Sequence, residues 1–173
     1  MKIALDIGHA RLTGATGNGL QEHELAADLA RLLAQYLNPP HEVEVIDFPN
    51  LSNSADLAAT VRAVDAGKFD LCLSLHFDSS KNTAARGAHV IYTSKKGKTL
   101  ADVIASHICP LLPGRAEKTV HRDGLYVLDE TDCPAVIIEG GFLTNAADSS
   151  FLKHELYRLA RAIAAALKNF SFE

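Results

Sequence analysis

The stretch Pro134-Ala135-Val136-Ile137-Ile138-Glu139-Gly140-Gly141 sets an unbroken apolar run of strand length directly against a carboxylate and two glycines. An apolar run without polar alternation suits a strand covered on both faces, because successive side chains point to opposite sides and neither side meets water. Working outward from the run at 135–138, similar segments occur at 3–7, 43–46, 71–75, 88–92 and 125–128, each bounded by polar or Gly/Pro residues. Helical periodicity lies between several of them. Leu25, Leu29, Leu32, Leu33 and Tyr36 form one stripe, Leu57, Val61 and Val64 a second, and residues 99–111 a third. The clearest helix carries Leu152, Leu156, Leu159, Ile163 and Leu167, with Asn145 and Asp148 placed to cap its start. Strands alternating with helices predict a single-domain α/β fold: a roughly six-stranded, mostly parallel, twisted sheet with helices on both faces. The short link between 71–75 and 88–92 has no helical pattern, so antiparallel pairing of those two runs is expected to make the sheet mixed. Residues 168–173 are expected to fray.

Composition narrows the function classes. The chain has 173 residues, a net charge of −4 and 47% hydrophobic residues, enough to bury a core without metal or disulfide staples. Its 17 basic and 21 acidic side chains supply no cationic stripe, which argues against a nucleic-acid partner. No segment approaches the roughly 18 apolar residues of a spanning helix, so stable membrane insertion is not expected. Only Lys2 precedes the first apolar segment, which turns polar at Asp6, and no secretion signal is visible. Cys72, Cys109 and Cys133 have no CxxC spacing and read as reduced thiols. HExxH, GxSxG and P-loop motifs are absent. With no repeat or linker, residues 1–173 are expected to form one domain, acting as a monomer.

In open α/β sheets ligands gather beyond the carboxyl ends of the strands, so polar residues that follow apolar runs are the candidates for chemistry. Three such places carry His9, His76 with Asp78, and Glu139. Neutral imidazole and carboxylate suit Zn²⁺, and a catalytic zinc uses three protein ligands with a fourth position open. The opening turn of the first helix offers Glu22 or Glu24 as a further ligand. Residues three and four apart share a helix face, which sets Glu22 above Leu25, Ala26 and Leu29 and leaves Glu24 with Asp28 and Arg31 on the wet side. Helix phase therefore selects Glu22, and His23, about 100° further round, is expected at the solvated rim. Glu139 ends a run that buries its neighbours, a position too costly for a carboxylate that is neither paired nor used. His89 begins a strand and is expected to face away from the site end, and His121 reads as a loop residue.

The blocks Ala4-Leu5-Asp6-Ile7-Gly8-His9, Gly19-Leu20-Gln21-Glu22, Ser74-Leu75-His76-Phe77-Asp78 and Pro134-Ala135-Val136-Ile137-Ile138-Glu139-Gly140-Gly141-Phe142-Leu143-Thr144-Asn145 occur in order over nearly the whole chain. Together they resemble the zinc-dependent N-acetylmuramoyl-L-alanine amidases of the Amidase_3 family, which include bacterial cell-wall amidases and phage endolysins. The resemblance implies zinc held by His9, Glu22 and His76, and Glu139 as the catalytic acid/base. It implies peptidoglycan as the substrate, with the amide between N-acetylmuramic acid and L-alanine as the bond cleaved. With no visible export signal and no cell-wall-binding domain, the chain resembles a phage or prophage endolysin. Such a protein is made in the cytoplasm and reaches the wall after holin-type release. Two other classes remain open at this stage. One is a zinc carboxypeptidase or small-molecule amidohydrolase of the same fold, and the other a non-catalytic wall-binding or phage structural module.

Overall fold

The computed structural model describes residues 1–172. Its elements in chain order are β1 (Lys2–Ile7), β2 (Thr16–Gly17), β3 (Leu20–Gln21), α1 (Glu22–Leu37), β4 (Glu42–Ile46), α2 (Asn53–Gly67), β5 (Leu71–Asp78), β6 (His89–Tyr92), α3 (Lys95–Ile108), β7 (Thr119–His121), α4 (Tyr126–Glu130), β8 (Ala135–Phe142) and α5 (Ala146–Leu167). Six strands form one sheet in the order β4-β1-β5-β8-β6-β7, and β2 with β3 makes a separate two-residue hairpin ladder. Neighbours in the large sheet are parallel except β6 and β8, which are antiparallel. The sheet is mixed, as expected. The antiparallel partner of β6 is β8, however, because β8 occupies the place beside β5.

The central strands are buried on both faces, which is why their sequences read as continuous apolar runs. On one face Ile3, Leu5, Ile7, Leu73, Leu75, Val136 and Ile138 pack under α1, α3 and α5. On the other, Ala4, Ile46, Cys72, Ala135 and Ile137 meet Val64 of α2 and Val127 and Leu128 of α4. Leu25, Ala26, Leu29, Ala30, Leu33 and Leu37 give α1 its buried stripe. Asn145 caps α5 by accepting from the N–H groups of Ala147 and Asp148. The three cysteines are free thiols.

One local expectation is corrected. Residues 125–128 enter a helix, α4, whose Val127 and Leu128 cover the second core face; four apolar residues do not distinguish a strand from a short buried helix. The edge strand is instead β7, a Thr-Val-His segment with no apolar run, held extended by pairing with β6. Beyond α5, Phe170 and Phe172 meet edge to face with centroids 4.8 Å apart and pack on the core margin. Glu173 lies outside the described residues.

Candidate active site

The carboxyl ends of β1, β5 and β8 lie side by side, and the loop after β1 folds back over them into α1. Gly8 leaves β1 with its N–H on the Leu75 carbonyl at 3.0 Å. A side chain there would collide with the His76 imidazole, because a Cβ would lie 2.4 Å from its Cε1. His9 follows in the left-handed region at φ 62°, an uncommon conformation for a residue with a side chain. This turn brings its ring to the His76 ring, with centroids 5.0 Å apart and planes inclined by 75°.

Glu22 enters from the first turn of α1 and is 2% exposed, on the face that helix phase assigns it. Its Oε1 accepts from the Phe77 N–H at 3.0 Å and lies 3.0 Å from His76 Nδ1. Its Oε2 accepts from the Ala15 N–H and stands 3.5 Å from His9 Nε2. One ligand atom from each of His9, Glu22 and His76 fits within 4.8 Å of the others. Glu139, opposite His76 in the β5–β8 register, completes the group, and its Oε2 is buried without a hydrogen-bond partner among the described residues. The site opens into a cavity of about 330 Å³ lined by His9, Glu22, His76, Asp78 and Glu139. A separate cavity of about 690 Å³ between α3 and the end of α5 is lined by neither a histidine nor an acid.

The electrostatics follow from this packing. Burial lowers the His9 pKa against the opposing pull of Glu22, so its ring is neutral and keeps a lone pair to donate. Burial alone would raise Glu22, but the His76 hydrogen bond and charge and the two backbone N–H groups outweigh it and hold the carboxylate ionised. Burial would lower His76, yet the Glu22 hydrogen bond and the charges of Glu139 and Glu22 raise it to about 8. Burial pushes Glu139 up, opposed by His76 and reinforced by Asp78 and Glu22. Two imidazoles and a carboxylate at one point, with a buried acid oxygen left over beside them, fit a divalent zinc ion in chemistry and in number.

The structure also recruits residues that sequence reasoning set aside. His23 is buried rather than solvated: its Nδ1 donates to the His9 carbonyl at 2.6 Å, and its Nε2 is 3.8 Å from Asp47 Oδ2. The cause is the loop before α1, which folds over the helix side that phase alone leaves open. His89 stands at the site end after all, paired with Glu139 in the β6–β8 register, because β6 runs backwards and presents its first residue where the parallel strands present their last. Its Nδ1 is 3.6 Å from Asp78 Oδ2. Reading the direction of β6 from its antiparallel partner would have found it. His121 is the last residue of the edge strand β7, paired with Tyr92, rather than the loop residue expected, and its Nε2 donates to the Thr93 carbonyl at 3.1 Å.

A three-layer α/β domain with a His, Glu, His donor cluster and a buried carboxylate at its strand ends has the donor set of a metal-dependent hydrolase. The chain belongs to the Amidase_3 family, described as N-acetylmuramoyl-L-alanine amidase, whose model matches residues 3–169. It is 29% identical over 160 residues to the N-acetylmuramoyl-L-alanine amidase LytC of Bacillus subtilis, covering 90% of this chain and 32% of that protein. Among solved structures it is similar to the catalytic domain of the CD27L endolysin targeting Clostridia difficile, at 27% identity and a TM-score of 0.89, covering 100% of this chain and 99% of that one. It is also similar to the catalytic domain of CwlV, an N-acetylmuramoyl-L-alanine amidase from Bacillus (Paenibacillus) polymyxa var. colistinus, at 26% identity and a TM-score of 0.84, with 96% of each chain covered. The chain spans between 32% and 62% of the length of the first curated relatives it matches.

Proposed function

We propose that this chain is a peptidoglycan amidase that hydrolyses the amide between the lactyl group of N-acetylmuramic acid and L-alanine of the stem peptide, with zinc held by His9, Glu22 and His76. One observation carries the reading: three donors of the right kind converge within 4.8 Å beside a buried carboxylate, in a chain of this family. Coverage of nearly the whole CD27L catalytic domain supports a wall-lytic unit of endolysin type, with the bacterial cell wall as its place of action.

Zinc in such a donor set supplies an acidified water and a Lewis acid for the scissile carbonyl. The residues of the chain do the rest. Glu22, kept ionised by His76 and by the Ala15 and Phe77 N–H groups, contributes a fixed negative charge, and the neutral His9 contributes a lone pair. Glu139 accepts the proton of the attacking water and delivers it to the departing nitrogen of L-alanine. Its raised pKa suits the second task, since an ordinary solvated carboxyl is too acidic to hold a proton near neutral pH. Gly8 and Gly14 keep the space clear: a Cβ on Gly14 would lie 2.7 Å from Glu22 Oε2.

The test joins metal content to wall lysis on one preparation. About one zinc per chain is expected, with clearing of purified cell walls that chelation abolishes and zinc restores. New N-terminal alanine must appear with the clearing. A zinc-loaded chain that never clears walls, or one that cuts within the stem peptide, overturns the proposal.

A further inference from the structure

Across the sheet edge the site is laid out in strand order: His9 after β1, His76 on β5, Glu139 on β8, and then His89 on β6. The donor cluster lies at one end of this row and the proton carrier in its middle. Beyond Glu139 lies the β6 side. What stands there is a guanidinium. Arg115 Nη2 donates to His89 Nε2 at 3.2 Å, and the Arg115 guanidinium carbon sits 5.7 Å from the Phe142 ring centroid. Burial and the Arg115 charge lower His89 to about 4, so at neutral pH it is an uncharged acceptor that orients the arginine without neutralising it.

Among the described residues no carboxylate reaches ion-pair distance of Arg115. Arg115 lines a cavity of about 430 Å³ with Arg86, Glu117 and Phe142. The second arginine is not equivalent. Arg86 Nε is committed to the Pro113 carbonyl at 3.0 Å and lies 3.7 Å from Oδ1 of the fully buried Asp148, whose charge it answers. Arg115 alone is seated on two sides and keeps most of its donor fork free. A planar fork of that kind matches a carboxylate with two parallel hydrogen bonds.

We propose that Arg115 is a specificity-determining residue that binds a free carboxylate of the stem peptide in the cavity beside Phe142, on the β6 side of Glu139. The inference rests on the amidase reading above. It assigns the peptide half of the substrate to the β6 side and the glycan half to the β1 side.

The test uses two soluble N-acetylmuramoyl peptides that differ only in whether the second amino acid carries a free α-carboxylate or its carboxamide. The intact chain is expected to prefer the carboxylate by about tenfold in kcat/KM, the size of one charge-assisted contact at a partly exposed site. Arg115→Ala is expected to shrink that preference to within about twofold, through a higher KM for the carboxylate substrate. Arg115→Lys, which keeps the charge and loses the fork, should fall between them. Calorimetric titration with the two released peptides must show the same order, and it needs no turnover. A preference that survives in Arg115→Ala, or a fall in kcat on both substrates alike, overturns the assignment. If the intact chain cleaves neither substrate, the amidase reading falls, and the calorimetric discrimination between the peptides then decides Arg115 on its own.

Discussion

Replacing Gly8 by alanine is expected to weaken metal binding about 10–100-fold while leaving the sheet folded. The magnitude follows from one contact. The new methyl would sit 2.4 Å from His76 Cε1 and 2.5 Å from its Nε2, whereas ordinary carbon contacts begin near 3.4 Å. The ring must therefore retreat by about 1 Å. It cannot do so and keep its 3.0 Å contact to Glu22 Oε1, so the variant loses a charge-assisted hydrogen bond of about 1.5–3 kcal/mol along with the alignment of the three donors. Gly8 does not occupy the left-handed region, so alanine strains nothing in the backbone, and the effect isolates the ring. Competition with a chromogenic chelator measures the affinity, the visible spectrum of the cobalt-substituted protein reports the donor geometry, and urea denaturation monitors the fold. Metal affinity within about threefold of the unaltered chain, with an unchanged cobalt spectrum, would refute the reasoning.

Glu139→Gln is expected to retain metal and lose hydrolysis by about 10²–10⁴-fold, as befits a lost proton carrier; full turnover by a metal-loaded sample would remove Glu139 from the mechanism. Asp148, fully buried, accepts from the Gly87 N–H at 2.7 Å and the Phe142 N–H at 3.0 Å. Asp148→Ala orphans both donors and should cost about 3–5 kcal/mol in urea denaturation, and Asp148→Asn, which retains an acceptor oxygen, clearly less; equal losses would contradict the hydrogen-bond account. Asp56 is raised to about 6 by burial and by the neighbouring charges of Asp6 and Asp47. Its folded pKa exceeds the unfolded value, so the stability it lends is complete below about pH 4 and is lost as pH rises through about 6. Asp56→Asn should therefore gain on the unaltered chain by about 2 kcal/mol between about pH 4.5 and pH 8. A stability difference that does not change with pH would show that Asp56 is not strained by its charge.

The parts of the fold that were legible are those whose residues answer to burial alone. β1, β5 and β8 are covered on both faces, so their inner stretches are apolar apart from the site residues and the mutually hydrogen-bonded Asp6 and Ser74, and Glu22 could be separated from Glu24 because α1 has one dry side. The rest depends on partners far along the chain. The short non-helical link predicts that β6 runs backwards, but its neighbour β8 lies far along the chain, and it is the pairing with β8 that sets His89 opposite Glu139 at the site. β7 is extended because β6 offers it an edge; its β-branched Thr119 and Val120 suit a strand, but three residues with no apolar run are too short to be read as one. His23 escaped notice because its burial comes from the His9 carbonyl, exposed to it by a left-handed turn that follows no periodicity.

The backward course of β6 also decides how this molecule could acquire a different taste. Residues 79–88 leave the sheet at Asp78 and re-enter it at His89, both on the catalytic edge. Between those points the segment is tied to the start of α5: Ser80 donates to Thr144 Oγ1, the Asn145 amide donates to the Thr83 carbonyl, and Gly87 donates to Asp148. None of these ties involves His9, Glu22 or His76. The rim of the groove is thus suspended from a helix cap, independently of the donor cluster, and residues can be added or removed between its anchor points without disturbing that cluster.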